Sequence, residues 1–331
     1  MRTIVHRSAS LWLLALLPLQ DAKAPADAKA PSTVALLRQE AERVRPKVES
    51  AAARAFLDAT AQLSEIEPRV VYYDAKTRAA LTPEEHAAKP AAEQAAFEER
   101  TLGEEFYYLT KYGSPLAYVR LIDILARIEG KSGQVKGRRL LDYGYGGIGH
   151  LRLLASSDWQ VVGVDVDPLL HAFYRPSDQS AELKLVHGSW PGDAATRAAV
   201  GEGFDVIVSK NTLKHGYIRP SQQVDPRMLV DLGVTPAEFL AAVARALKPG
   251  GLFAIYNICP AQRPESYIPW ADGESPFTLE EFAAAGFSVL AFDVDDTEAV
   301  REMAFALGWE EQGMDLENDL FAWYTVVRKP E

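Results

Sequence analysis

The sequence predicts a doubly wound α/β fold, with a mostly parallel sheet covered on both faces and entered through an α-helical extension. Three observations predict it. From residue 138 onward, short apolar runs alternate with stretches of helical length. At residues 140–150, Leu-Leu-Asp-Tyr-Gly-Tyr-Gly-Gly-Ile-Gly-His, an apolar run meets an acid and then four glycines within six positions. That is a buried strand turning sharply into a helix, where glycine supplies positive φ and leaves no Cβ to hold a ligand off the backbone. Before residue 131 the chain is instead rich in Ala, Glu, Arg and Leu, a helical composition.

The elements follow in order. Arg2, His6 and Arg7 precede the apolar run Leu11–Leu17 and a small-x-small Ala22-Lys23-Ala24. Residues 1–24 therefore read as a secretory signal peptide, too short to span a bilayer. Residues 25–33 are a low-complexity linker. Residues 34–66 read as helix interrupted near Pro46, and residues 76–105 are Ala/Glu-rich, with a helix start at Thr82-Pro83-Glu84-Glu85. In 115–128, Tyr118, Leu121, Ile122, Leu125 and Ile128 share one helical face. Together, 34–130 form the expected α-helical extension and 131–331 the main domain. In the latter, strands are expected at 139–143, 160–166, 183–187, 204–209, 252–258, 287–293 and 320–328. Helices are expected at about 149–156, 168–174, 194–200, 236–247, 279–285 and 297–307, two of them opened by capping boxes at Thr235/Glu238 and Thr278/Glu281. Such βαβ units place ligands beyond the carboxyl ends of the strands.

Bulk properties narrow the function. With 331 residues, 48% of them hydrophobic, the chain can bury one large α/β core with an extension. A net charge of −11 argues against nucleic acid, whose binding rests on phosphate neutralisation. Cys259 is the only cysteine, so neither an intramolecular disulfide nor a Cys-based zinc site can form. No stretch after the leader is long enough for a stable membrane span. Asp293, Asp295 and Asp296 read as a strand end running into a helix N-cap, and no metal site is expected. Oligomeric state is not legible.

The glycines fit two fingerprints. Gly144-x-Gly146-x-x-Gly149 is the dinucleotide pattern, and Asp142-x-Gly144-x-Gly146 begins the acid-x-G-x-G signature of enzymes using S-adenosylmethionine. Both want an acid at the end of the second strand to hold ribose hydroxyls, and Asp165 supplies it. Asp142 favours S-adenosylmethionine, because a carboxylate there would attract a methionine ammonium and repel a pyrophosphate. Phe204-Asp205-Val206-Ile207-Val208-Ser209-Lys210-Asn211 and Leu247-Lys248-Pro249-Gly250-Gly251-Leu252-Phe253 add two further motifs, and Phe287–Val294 and Leu320–Lys329 match two closing strands.

With these motifs in register, residues 110–329 resemble the class I S-adenosylmethionine-dependent methyltransferase family. The resemblance implies a Rossmann-like, seven-stranded sheet whose last strand is antiparallel. By position it implies that Asp142, Gly144, Tyr145, Gly146 and Gly149 line the methionine end of S-adenosylmethionine. It further implies that Asp165 holds the ribose and that Val166, Ser189 and Trp190 lie about the adenine, with Lys210 and Asn211 after the fourth strand, where family members touch cofactor and substrate, and Tyr112 closing the site. The chain departs from the pattern in the bulk of Tyr145, the displaced Gly149, and Ser189 where an acid often reads the adenine.

The expected activity is in-line methyl transfer to a small molecule or a protein side chain, with His215 as a candidate base. An NAD-dependent oxidoreductase and a non-catalytic nucleoside-binding protein that kept the fold are the alternatives. The leader points to export, periplasmic or secreted, whereas cytosolic supply of S-adenosylmethionine points to the cytoplasm.

Overall fold

The structure, a computed structural model, describes residues 31–109, 113–130, 138–263 and 265–331. The expected leader (1–24), most of the linker 25–33 and Tyr112 lie outside the described residues.

Two sheets are present among the described residues. Strands β1 (Arg69–Tyr73), β2 (Ala80–Leu81) and β3 (Glu98–Leu102) form a small antiparallel sheet of order β2-β1-β3. The second sheet contains β4 (Arg139–Tyr143), β5 (Gln160–Asp165), β6 (Leu183–His187), β7 (Phe204–Lys210), β8 (Leu247–Cys259), β9 (Ser288–Asp295) and β10 (Phe321–Arg328). Its order is β6-β5-β4-β7-β8-β10-β9. Strands β4 to β8 pair in parallel, and β10 runs antiparallel to both its neighbours. This is the Rossmann-like seven-stranded sheet expected, with the last strand inserted between the fifth and sixth. The chain leaves β4 toward one edge and returns through β7 on its other side. The crevice between β4 and β7 is thus the switch point where a ligand is anticipated.

Each face of the large sheet has its own core. One gathers Leu141, Val162, Ile207, Phe253 and Val327 under the helix Pro236–Ala246 and the helix Leu279–Ala284. Both helices open with the capping boxes read from the sequence. The other face gathers Leu140, Val206, Val208 and Ala254 together with Leu37, Phe56, Leu57, Tyr107 and Leu121 from the N-terminal extension. The extension is therefore half of that core rather than an appendage. The helix Val119–Glu129 shows why: its Val119, Leu121, Ile122, Ile124 and Leu125 are all buried, and it stops at Gly130 in the left-handed region. Fully burying one such side chain contributes about 1.5–3 kcal/mol. Buried ion pairs fix the docking, Arg120 to Asp296 at 2.6 Å and Arg69 to Asp178 at 2.5 Å. Such pairs specify a register more than they add stability.

One difference from the sequence reading stands out. The extension 34–130 is helical at its two ends, but β1 precedes its Ala/Glu-rich stretch 76–105 and β2 and β3 lie within it. Helix propensity is overridden there by cross-strand pairs. The Tyr72 hydroxyl donates to Glu99 at 3.0 Å, and the Arg100 guanidinium lies 4.2 Å from the Tyr73 ring centre. The helix start at Thr82 is nonetheless real, with its capping box intact.

Candidate functional site

The hinge after β4 turns through Gly144 (φ +73°) and Gly146 (φ +62°) and enters the helix Gly149–Ser156. The left-handed angles explain two of the glycines directly. The missing Cβ serves a different end from the one read in the sequence. At Gly144 a Cβ would collide with the side chain of Thr212, whose hydroxyl donates to the Gly144 carbonyl at 3.2 Å. The glycine thus lets the loop after β7 close onto the hinge. Gly149 is likewise packed against the Tyr108 carbonyl and Pro115 of the extension. Tyr145 is buried, its ring 6.3 Å from that of Tyr174.

Asp142 sits at the end of β4 and is only 1% exposed. Its two oxygens are treated unequally. Oδ2 accepts the Tyr118 hydroxyl at 2.6 Å, and His150 Nε2 lies 2.6 Å from the same atom. The Tyr118 and His150 rings stack on each other at 4.2 Å. Burial, then the Asp142 charge, holds the Tyr118 hydroxyl well above its usual pKa, so it stays protonated and donates. Oδ1 is buried and has no hydrogen-bond partner among the described residues. A buried carboxylate oxygen left without a donor is costly, and such an atom calls for a cationic or N–H partner.

Asp165 ends β5, one strand over. Its Oδ2 accepts the Gly146 amide and its Oδ1 the Asp167 amide, both at 2.9 Å. Burial raises its pKa against the opposing pull of these amides. Each oxygen keeps capacity for a hydroxyl donor. Beside it Val166 is 59% exposed, an apolar side chain standing free at the strand end. Ser189 packs beside Gly233, and Trp190 is buried with its ring 6.1 Å from Tyr143 and 5.7 Å from Phe239.

Beyond β7, Asn211 has φ +66° and accepts the Ile258 amide through Oδ1 at 2.7 Å. Three residues past Thr212, His215 Nδ1 lies 2.9 Å from Asp272 Oδ2. The Tyr267 hydroxyl donates to that same oxygen at 2.6 Å. Lys214 Nζ donates to the Ile258 and Trp270 carbonyls, which ties this loop to the segment after β8.

The structure therefore brings Asp142, Gly144, Tyr145, Gly146, Gly149, Asp165 and Val166 to one hinge, and ties the loop bearing Asn211 and His215 to that hinge through Thr212. Sequence reasoning gave no role at the site to Tyr118, Thr212 or Asp272. His150, just inside the helix after the glycines, also holds Asp142. Tyr118 shared an apolar helical face, so nothing local marked its hydroxyl as a partner for a residue 24 positions on.

Residues 141–255 match the family model described as "Methyltransferase domain". No curated protein sequence matches the chain. Among solved structures, the [4+2]-cyclase SpnF is 17% identical, with 92% of this chain and 98% of that chain covered at a TM-score of 0.40. A phosphoethanolamine N-methyltransferase from Haemonchus contortus, in complex with phosphomonomethylethanolamine and S-adenosylhomocysteine, is 14% identical, with coverage of 84% and 75% at a TM-score of 0.38. The 1,6-didemethyltoxoflavin-N1-methyltransferase of Burkholderia thailandensis is 17% identical, with coverage of 65% and 79% at a TM-score of 0.37. At these scores the likenesses carry no weight for chemistry.

Proposed function

We propose that the chain is an S-adenosylmethionine-dependent methyltransferase acting on a small molecule or a protein side chain. The observation that carries this reading is Asp142 Oδ1, a buried carboxylate oxygen at the switch point of the sheet that has no donor among the described residues. It fits the ammonium of the cofactor's methionine moiety. The match of residues 141–255 to a methyltransferase domain supports the same reading.

The residues fit the rest of that molecule. Asp165, held by two backbone amides, offers both oxygens to the ribose hydroxyls. Val166 offers an apolar surface to the adenine. A carboxylate at 142 would repel a dinucleotide pyrophosphate, which weighs against the NAD alternative. S-Adenosylmethionine, when bound, supplies an electrophilic methyl group on a sulfonium.

The chain's own task is then to hold an acceptor in line and to take its proton. His215 is the candidate base. With Nδ1–H donated to Asp272, its Nε2 is the ring nitrogen left to accept a proton. Asp272, in turn fixed by Tyr267, acts as a positioning residue for it. An acceptor with a weakly acidic hydroxyl or ammonium proton suits this pair.

The test is thermal unfolding with S-adenosylmethionine, S-adenosylhomocysteine or NAD. A ligand present at 100 times its Kd should add roughly 2.7 kcal/mol of stability. A shift with the two adenosyl compounds and not with NAD is expected. A shift with NAD alone overturns the reading in favour of a dehydrogenase, and no shift with any of the three overturns it in favour of a fold without a nucleoside site.

A further inference from the structure

Lys210 is the last residue of β7, and the register of the sheet fixes its neighbours. Asp142 on β4 pairs with Val208 on β7, and Lys210 pairs with Tyr256 on β8. Side chains two apart on a strand share a face, so Lys210 stands on the same face as Asp142, one step nearer the carboxyl edge. That is the face covered by the extension, where Tyr118 and His150 hold Asp142 Oδ2.

Among the described residues, Lys210 Nζ makes no hydrogen bond and no ion pair. It is nevertheless much withdrawn from water. Burial, and after it the charge of the neighbouring Lys214, hold its pKa down to about 8, while the Asp142 charge works the other way. Asp142 and Lys210 are therefore near enough to feel each other's charge, yet they do not pair. Among the described residues, the sheet thus presents a carboxylate oxygen without a hydrogen-bond donor and an ammonium without a hydrogen bond or ion pair, on one face of neighbouring strands. Lys214, the other amine nearby, is already committed to two carbonyls.

Opposite charges held close but apart are complementary to a zwitterion. In an α-amino acid the ammonium and carboxylate lie roughly 3 Å from each other by standard backbone dimensions. Charge-assisted hydrogen bonds of about 2.7–2.9 Å to each end would hold such a zwitterion between a carboxylate and an ammonium. We infer that Asp142 Oδ1 and the Lys210 ammonium form a two-point receptor for a free amino-acid end group, Asp142 taking the ammonium and Lys210 the carboxylate. The inference rests on the S-adenosylmethionine reading and extends it. It makes Lys210 a specificity residue for the cofactor's carboxylate, and it ranks the cofactor and its product above nucleosides without an amino acid.

The experiment compares three nucleoside thioethers by calorimetry on the full chain and on Lys210→Met. S-Adenosylhomocysteine carries both charges. Its decarboxylated analogue keeps only the ammonium, and 5′-methylthioadenosine has neither. The wild-type chain should bind S-adenosylhomocysteine at least tenfold more tightly than the decarboxylated analogue. In Lys210→Met the two should bind alike, with affinity for 5′-methylthioadenosine unchanged.

A pH series on the wild-type chain requires no variant. The preference for S-adenosylhomocysteine over its decarboxylated analogue should fall as pH rises through 8, because Lys210 loses its proton there. A preference that survives both Lys210→Met and the pH rise overturns the inference while leaving the cofactor reading intact. A wild-type chain that binds none of the three thioethers overturns both.

Discussion

Asp142 and Asp165 stand near the carboxyl ends of adjacent parallel strands, and they are built in opposite ways. Asp165 is held by backbone: both its oxygens meet amides, and the farther of these, Gly146, is only 19 residues away. Asp142 is held by side chains that the fold must deliver, Tyr118 from the extension and His150 from the next helix. The backbone-held acid is fully supplied and still open to hydroxyls. The side-chain-held acid is satisfied on one oxygen and bare on the other. A carboxylate fixed by its own loop suits a neutral ligand group, and one left half bare in the core suits a cation.

The largest effect should separate the two acids in the unliganded protein. Asp142→Ala strands the Tyr118 hydroxyl and the His150 ring in the core and should cost roughly 2–5 kcal/mol in urea unfolding. Asp165→Ala leaves only two amides at a loop edge and removes a buried charge, so it should cost less than about 1 kcal/mol. Both variants should lose the S-adenosylmethionine thermal shift. Equal losses of stability would break the comparison.

Lys210→Met should act in the reverse sense on folding and on binding. The folded-state pKa of Lys210 lies below its unfolded value, so the unfolded chain holds more protons between about pH 8 and 10.5. The penalty is complete below pH 8 and fades as pH rises toward 10.5. At pH 7 the methionine variant should therefore be more stable by about 1–3 kcal/mol, the gain vanishing at alkaline pH, even as its S-adenosylhomocysteine affinity falls. A variant less stable than wild type at pH 7 would mean that Lys210 is satisfied in the folded state.

The smallest effect concerns acid. The pKa of Asp165 is raised by burial, so its charge weakens folding at neutral pH, and that penalty fades as pH falls from the raised value toward 3.8. Ligand binding runs the other way, since protonation uses up one acceptor. Acidification through that raised value should weaken S-adenosylhomocysteine binding in the wild type. Asp165→Asn should show a flatter profile, measured by the same calorimetry.

What could be read from residues alone follows from the range of the forces involved. The alternation of strands and helices, the capping boxes at Thr235 and Thr278, and the turn at Gly144 and Gly146 depend on neighbours within a few positions. Asp165 belongs to the same class, because its partners are amides of the hinge and of its own loop.

The rest was decided in three dimensions. β1 to β3 displaced helix in the extension through cross-strand pairs. Gly144 makes room for Thr212, which comes from the loop beyond β7. The Asp142 oxygen and the Lys210 ammonium, both without partners among the described residues, and the His215–Asp272 pair each depend on residues brought together from distant segments. Backbone geometry and local hydrogen bonds are written in short windows of sequence. Burial and charge pairing are properties of the packed sheet, and they exist only once its strands and the extension have met.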